Sequence, residues 1–355
     1  MRKPTLKLRI NMSKLLHLLA FAFVVFFAWI LYAFATNGPD YYSYESWYSY
    51  SVTQGFLQRF EIGFSGIMFL CAKLGLSFQQ FIMVLSALGL FIFSISVYKY
   101  CQHPVLAMVL YLFYPFVFDV VQLRNFISFA IILFGIRFLK EFTLKNALLY
   151  GLCCLLAMSM HRTALFYVFF YIAYLKEFKN VVKVTVAGAF SIVFIAILFP
   201  SWLFGFLNTV GNEIYVEGGS TIVKVLGYGA FAIVATFLMY CYHYSDSSLL
   251  KDNNEYEYLC KLVPVLLICC VAVAFASQTY RFFRNMSILL YIVFLNDGIK
   301  RKERLVLQGS AINAFNSLFA IAFAAFFFIR QISPWSPMYT NMTKVVIESN
   351  SFLFG

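Results

Sequence analysis

Charged residues interrupt the apolar sequence of this chain at a few short motifs. The motifs read "GPDYYSY" at 38–44, "RFEIGF" at 59–64, "VQLRN" at 121–125, "MHRT" at 160–163 and "YRFFR" at 280–284. An ionisable side chain at membrane depth costs roughly 3 kcal/mol or more, so charges kept beside long apolar runs indicate a site that uses them. Together the motifs contribute several arginines, two acids and one histidine.

Arginine is the most frequent charged residue of these motifs. The candidate ligand-binding arginines are Arg124, Arg162, Arg281 and Arg284. A guanidinium group is planar and presents its N–H donors as a fork that matches two phosphate oxygens. The arginines therefore predict an anionic, phosphorylated ligand.

The acids and the histidine can exchange a proton with a substrate. Asp40, Glu61 and His161 are the candidate catalytic residues, because each can act as a general base near neutral pH, and the sequence does not choose among them. The chain has no HExxH, Walker A, GxGxxG, DxD or paired CxxC motif. No metal or other cofactor is therefore implied.

The first motif opens a segment that is very rich in aromatic rings, "YYSYESWYSY" at 41–50. Such rings are typical of the belt that anchors a protein at the membrane interface, and they also stack on the faces of sugars. Both interpretations stay open. In the second one, Tyr41 and Tyr44, with Gln122 of the third motif, are candidate substrate-binding residues.

The apolar runs between the motifs define the fold class. Of 355 residues, 62% are hydrophobic and only 12% are charged, which is more apolar than a soluble core of this length requires. The runs lack the alternation of barrel strands, so they predict an all-α transmembrane helical bundle that forms one membrane domain over 1–355. The lipid bilayer is its expected partner, and no nucleic acid is expected.

Clusters of lysine and arginine orient the predicted bundle. The main clusters lie at 2–14, 137–145, 176–183 and 300–304. By the positive-inside rule all of them are cytoplasmic, which requires that the run 62–76 does not cross but lies along or dips into the outer face. About eleven spans then follow, with the N-terminus inside. The outer segments are the first outer loop 36–77, a second outer loop 201–224 and the C-terminal tail 330–355.

The histidine motif lies between two apolar arms, 146–160 and 163–175. One continuous helix would place His161 at mid-membrane and move the later basic loops outside, so we expect a hairpin. Each arm would span roughly 22 Å, less than the ~30 Å hydrocarbon core, which recesses the tip below the outer surface. The other motifs also fall on the outer side, so the sequence predicts one cavity that opens outward.

The order of the motifs carries a family resemblance. The series "GPDYYSY", "EIGF", "QLRNFISFA", "MHRTALF" and "YRFFR", over residues 38–284, resembles the EpsG family of polytopic bacterial proteins. That family is similar to the Wzy-type polymerases of exopolysaccharide, capsule and O-antigen synthesis. Two positions depart from its usual pattern: Asn125 stands where glutamine is common, and Arg162 stands where a small residue usually follows the histidine.

The resemblance implies a metal-independent polymerase in the bacterial cytoplasmic membrane, with a GT-C-like fold and an interfacial helix in the first outer loop. Its substrate would be an oligosaccharide linked to undecaprenyl diphosphate. A hydroxyl of one repeat unit would attack the anomeric carbon of the growing chain, and undecaprenyl diphosphate would leave. A flippase and a chain-length regulator are the expected protein partners.

The resemblance also distributes roles among the candidates. Arg124, Arg281 and Arg284 would stabilise the leaving diphosphate, since their charge lies where negative charge develops. Glu61, Asp40 or His161 would accept the proton of the attacking hydroxyl. Alternatively, His161 would bind the diphosphate as an imidazolium ion.

Two other classes of membrane protein also use polar groups in a bundle. A flippase or transporter of lipid-linked sugars needs a cationic cavity, but alternating access predicts internal repeats and helices interrupted near mid-membrane. The sequence has no convincing repeat, and its polar groups gather at one face. A membrane acyltransferase is the weaker alternative, since it too can depend on one intramembrane histidine.

Overall fold

The computed structural model describes residues 12–56, 59–199, 201, 222–244, 257–275, 280–296, 307–336 and 339–354. Within these residues all regular secondary structure is helical, and Ala35 and Asn350 form one isolated bridge. The predicted all-α class is thereby confirmed.

The helices are α1 Met12–Ala33, α2 Tyr41–Gln54, α3 Ile62–Lys73, α4 Phe78–Tyr100, α5 Pro104–Phe113, α6 Phe116–Val121, α7 Leu123–Gly135, α8 Leu144–Met160, α9 Phe178–Leu198, α10 Ile222–Tyr244, α11 Glu257–Cys260, α12 Val265–Phe275, α13 Tyr280–Leu295, α14 Leu307–Ile332, α15 Lys344–Glu348 and α16 Ser351–Phe354. The 3₁₀ helices are Ile136–Leu139 and Arg162–Tyr174, and a π-helical turn covers Tyr339–Thr343.

Several helices of the described part are suited to a membrane. Four are long and apolar enough to cross it: Met12–Ala33, Phe78–Tyr100, Phe178–Leu198 and Ala314–Ile332. Large apolar side chains such as Phe23, Phe91 and Phe190 are exposed on them, and such surfaces need an apolar surrounding. The chain is therefore a membrane protein. Most other apolar runs form shorter helices, so the count of eleven spans stays a prediction.

Some segments of the predicted topology lie outside the described residues. They are the basic N-terminus 1–11, most of the second outer loop (202–221), the segment 245–256 and the basic segment 297–306. For these segments the positive-inside argument stands on the sequence alone.

Helix α8 and the 3₁₀ helix after it form the expected hairpin. Tyr150 donates a hydrogen bond to the carbonyl oxygen of Tyr167 at 2.8 Å, and Tyr171 donates to that of Ala147 at 2.6 Å, so the two arms are antiparallel. The chain reverses at His161. A 3₁₀ helix rises roughly 2.0 Å per residue, so the second arm of 13 residues extends roughly 26 Å. This arm is longer than the roughly 22 Å expected of an α-helical arm.

The segment predicted as the first outer loop, 36–77, folds onto the end of the bundle where α1 ends. Tyr41 donates to Oε1 of Gln79 at 3.0 Å, and the Gln79 amide donates in turn to the carbonyl oxygen of Ala33. Helix α4 begins here with a capping box at Ser77. Helix α3 starts beside the tip of the α8 hairpin and ends shortly before Ser77. We call this end of the bundle, where α1 ends and α4 begins, the polar end.

The C-terminal residues also pack at the polar end. The backbone N–H of Thr36 donates to the carbonyl oxygen of Ser349 at 3.2 Å, and that of Ser351 donates to Phe34 at 2.9 Å. The buried side chain of Asn350 reinforces this contact with bonds to backbone carbonyls of α1. The C-terminal residues and the segment 36–77 thus lie at one end of the bundle.

Candidate functional site

A close contact between α3 and the end of α8 positions Glu61. Gly63 lies against Ser159, and a Cβ atom at this glycine would come 2.8 Å from the Ser159 carbonyl oxygen. Because well-packed helices have no slack to absorb such an overlap, a larger residue would push them apart. The glycine of the "EIGF" motif therefore brings Glu61, directly before α3, up to His161 at the hairpin tip.

The carboxylate of Glu61 joins three parts of the chain. Its Oε2 accepts a hydrogen bond from Nη1 of Arg124 at 2.7 Å. Its Oε1 accepts from Nδ1 of His161 at 3.2 Å and from the backbone N–H of Arg162 at 3.1 Å. Burial would raise the pKa of Glu61, but the hydrogen bond from His161 and the charge of Arg124 outweigh burial and hold the pKa well below its usual range. Glu61 is therefore ionised at neutral pH.

His161 connects Glu61 to Arg281. Nη1 of Arg281 donates to Nε2 of the imidazole at 3.2 Å. Since a guanidinium group only donates, Nε2 is the unprotonated nitrogen and the proton lies on Nδ1, which faces Glu61. His161 lies in the break between the two arms, and burial there lowers its pKa to about 4, although Glu61 favours the charged form. The imidazole is therefore neutral near pH 7, with one fixed tautomer.

Arg124, near the start of α7, is held by residues of two further elements. Its Nε donates to the hydroxyl of Tyr44 on α2 at 3.4 Å. Its guanidinium lies over the ring of Phe60, 4.5 Å from the ring centroid, and this contact favours the positive charge. The side chain is thus fixed and charged, with Nη2 left over from the bonds to Glu61 and Tyr44.

Asp40 precedes α2 and lies near the same arginines. Its side chain makes no capping hydrogen bond to α2. Burial raises its pKa, and the charges of Arg281, Arg124 and Arg284 offset part of the rise. The carboxyl is therefore within electrostatic reach of all three arginines and is a weaker acid than a solvated aspartate.

Arg284 is fully buried, three residues after Arg281 on α13. Its Nη2 donates to Oε1 of Gln122 at 2.7 Å and lies 3.8 Å from Oδ1 of Asp119. Tyr111 donates to the other carboxylate oxygen of Asp119 at 3.0 Å. Among the described residues, Nε of Arg284 and Oδ1 of Asp119 have no hydrogen-bond partner. This buried pair therefore retains hydrogen-bonding capacity.

Two buried asparagines that the sequence analysis did not select join the arginine-bearing helices. Asn125 directly follows Arg124, and Asn285 directly follows Arg284. The two amides hydrogen-bond each other. The repeated Arg-Asn pair, in "LRNF" and "FRNM", was the signal in the sequence that could have identified them.

The structure places Arg162 and Tyr41 differently from the other candidates. Arg162 contributes its backbone N–H, while its side chain is exposed. Tyr41 bonds Gln79 rather than an arginine, whereas Tyr44 and Gln122 contact Arg124 and Arg284. In the part of the chain that the structure describes, no three histidine, cysteine or acidic side chains are grouped so as to hold a metal ion.

The apolar helices and the buried ionic network define a helical membrane protein with a polar site at one end of its bundle. The chain belongs to the EpsG family, whose family model matches residues 18–340. The resemblance seen in the motifs is thereby confirmed, and membership indicates a membrane protein similar to a polysaccharide polymerase. No curated protein and no solved structure matches the chain.

Proposed function

We propose that the protein is a Wzy-type glycosyltransferase that joins undecaprenyl-diphosphate-linked oligosaccharide repeat units into a surface polysaccharide. The observation that carries this proposal is the buried polar network that holds three arginines at the polar end: Arg124 bonds Glu61, Arg281 bonds His161 and Arg284 bonds Gln122. Guanidinium groups suit the charge and geometry of a diphosphate. A carboxyl beside them can take the proton that glycosyl transfer releases.

The polar end faces the outside of the cytoplasmic membrane in this proposal, and about eleven segments cross. Contacts at the opposite end of the bundle support the proposed topology, in which successive segments cross the membrane in opposite directions. Asn296, directly after α13, accepts from the backbone N–H of Gln102, two residues after the end of α4, at 2.8 Å. Lys261 donates to the carbonyl oxygen of Lys176 at 3.1 Å, at the far end of the α8 hairpin. Lys176 and Lys261 thus lie together opposite the site, where the positive-inside rule places cations on the cytoplasmic face.

The arginines bind the diphosphate of the glycosyl donor. A guanidinium has five N–H donors, and Arg124 spends only some of them on Glu61 and Tyr44. Its Nη2 can therefore meet a phosphate oxygen without breaking the network. As the glycosidic bond breaks, negative charge grows on the leaving oxygen, and preorganised positive groups stabilise that charge more than they stabilise the bound donor.

Asp40 acts as the general base. The acceptor hydroxyl gives its proton to the Asp40 carboxylate while its oxygen forms a bond to the anomeric carbon of the donor. The bond from that carbon to the diphosphate breaks, and undecaprenyl diphosphate leaves with the electron pair. The anionic diphosphate offsets the nearby arginine charge, which raises the pKa of Asp40 further and favours proton acceptance.

Glu61 and His161 position the arginines rather than accept the proton. Glu61 has a lowered pKa and is occupied by Arg124, His161 and a backbone N–H, so it is a weak base. The basic nitrogen of His161 faces Arg281, and its pKa of about 4 also makes it a weak base. Their role in this proposal is to hold Arg124 and Arg281 in fixed directions.

Purified variants with a synthetic lipid-linked repeat unit test the proposal. We expect Arg124→Ala and Arg281→Ala each to slow release of undecaprenyl diphosphate by roughly 100-fold or more, with shorter polymer, and Arg→Lys to be milder because one charge remains. Arg59→Ala is the control, since Arg59 stacks on Trp47 in the same outer loop. Full polymerisation by the Arg124→Ala/Arg281→Ala double variant would contradict the proposal. A flippase would form no polymer at all in detergent solution.

A further inference from the structure

An apolar groove lies among α9, α10 and α12, apart from the buried network. Its volume is about 520 Å³, within the range of sites that hold small ligands. Its walls include Phe190 and Val193 on α9, Gly229, Ile233 and Phe237 on α10, and Leu267 on α12. Because nearly all of the lining is apolar, the groove suits a hydrocarbon chain and offers nothing to a polar ligand.

The groove is open to the surroundings of the bundle. Phe190 is 71% exposed, Ile233 61% and Phe237 62%, so three large side chains that line the groove face outward. They belong to α9, which is long enough to cross a membrane, and to the apolar helix α10. In a bilayer these walls face the hydrocarbon core, so a lipid chain can enter from the side.

One end of the groove reaches the polar end. Gly229 lines the groove and directly follows Tyr228, whose ring centroid lies 5.4 Å from that of Tyr280. Tyr280 in turn directly precedes Arg281. Sγ of Cys270, another wall residue, donates to the carbonyl oxygen of Tyr228 at 3.1 Å, which holds α10 against α12 at this point. The end of the groove at Gly229 therefore lies close to the start of α13, which carries Arg281.

We propose that this groove binds the polyprenyl chain of the lipid-linked substrate and directs its diphosphate to Arg281. The inference rests on the proposed function, because it takes the ligand to be a polyprenyl diphosphate. An ordinary phospholipid chain also fits the apolar walls, but a diphosphate head offers the arginines more charge and more oxygen atoms than the phosphodiester of a phospholipid. The groove thereby sets the depth and direction in which the anomeric carbon approaches Asp40.

Gly229 allows a selective test. A Cβ atom at Gly229 meets no atom within 4 Å, so Gly229→Leu fills the groove without an initial clash. Gly227 is the matched control, since it lies on the same helix, is equally open at Cβ and does not line the groove. Ile233→Trp is a second groove variant, because Ile233 is an exposed wall residue.

The measurement is the affinity of each purified protein for undecaprenyl diphosphate and for the short-chain farnesyl diphosphate. For each protein the affinity for the long chain is divided by the affinity for the short chain, and this ratio is compared between variant and wild type. The comparison cancels the different partition of the two lipids between water and lipid. A polyprenyl chain that enters the groove leaves lipid rather than water. Only van der Waals packing then contributes to its binding, so the effect of the groove on affinity is modest. We expect the preference for the long chain to fall roughly threefold to tenfold in Gly229→Leu and Ile233→Trp, and to persist in Gly227→Leu.

Each outcome is decisive. An unchanged chain-length preference in both groove variants would show that ordinary lipid fills the groove and would overturn the inference, as would an equal fall in Gly227→Leu. Arg281→Ala should weaken binding of both diphosphates alike. If it weakens neither while Gly229→Leu lowers the preference for the long chain, the proposed diphosphate site fails and the polyprenyl groove stands.

Discussion

Asn125 and Asn285 exchange two hydrogen bonds between α7 and α13, with Nδ2 of each donating to Oδ1 of the other at 3.0 and 3.1 Å. Nδ2 of Asn285 also donates to the hydroxyl of Tyr167 at 2.7 Å. Both amides are almost fully buried. Because each directly follows an arginine of the site, the pair fixes the position of Arg124 relative to Arg284.

Breaking this pair should destabilise the protein and lower polymerisation. Asn285→Leu leaves the Asn125 amide buried without its partner, which costs about 1–3 kcal/mol. Changing both residues to leucine removes the unpaired group, so the double variant should lose less stability than the two single variants combined. Thermal unfolding in detergent measures this, with Asn180→Leu as the control, because the hydrogen bond of Asn180 to Glu177 is exposed. Additive losses would show that the two amides act independently.

The sequence identifies the charged residues of the buried network around Glu61, but it does not show which of them are in contact. Charges beside apolar runs are costly, so the motifs of Glu61, Arg124, His161 and Arg281 could be selected one by one. Glu61 and His161, however, are 100 residues apart, and their contact depends on the packing of α3 against α8. The glycine that permits this packing gives no separate signal, because glycine in a sequence is equally typical of a turn.

The helix type of the second hairpin arm and the direction of the Arg162 side chain depend on tertiary packing, which a local sequence pattern does not show. The hairpin at His161 followed from the positive-inside rule and from the mid-membrane position that one continuous helix would give His161, but a run such as "TALFYVFFYIAY" does not distinguish an α-helix from a 3₁₀ helix. The exposed position of the Arg162 side chain could not be foreseen for the same reason, since it depends on which side of the tip faces the bundle.

Asp40→Asn should separate binding from turnover. The amide cannot accept the proton, so the rate should fall roughly 100-fold or more. Removal of a negative charge beside the arginines should leave binding of undecaprenyl diphosphate unchanged or tighter. Glu45→Gln, in the helix that directly follows Asp40, is the control and should change neither quantity. A near-normal rate for Asp40→Asn would exclude Asp40 as the base.

Acid pH should destabilise the protein through His161. Its pKa is about 4 in the folded protein, against 6.5 for an unperturbed imidazole. Between these values the unfolded chain binds a proton that the folded protein lacks, so stability falls as the pH drops from about 6.5 towards 4. Glu61, with its lowered pKa, adds a loss in the same direction at still lower pH, below about 4.5.

Thermal unfolding from about pH 7 to about pH 5 measures the effect of His161. His161→Gln does not titrate, so its unfolding temperature should depend less on pH than that of the wild type. His17→Gln is the control, because His17 is an exposed residue of α1. Equal pH dependence in wild type and His161→Gln would mean that other groups cause the loss.

Gly63→Ala should disturb the site without changing any charge. The new methyl group would overlap the carbonyl oxygen of Ser159, which lies 2.8 Å from the Cβ position and cannot move without shifting α8. Separation of α3 from the hairpin tip lengthens the contact of Glu61 with His161. We therefore expect lower stability, by roughly 1–3 kcal/mol for such overpacking, and slower polymerisation.

Gly66→Ala, one turn further along α3, is the matched comparison, because a Cβ atom there meets nothing within 4 Å. Alanine favours a helix over glycine by up to about 1 kcal/mol, so this variant should be as stable as the wild type or more stable, with normal polymerisation. Any general effect of alanine on α3 would appear in both variants. If Gly63→Ala matches Gly66→Ala in stability and rate, the close approach of α3 to α8 is not what holds Glu61 against His161.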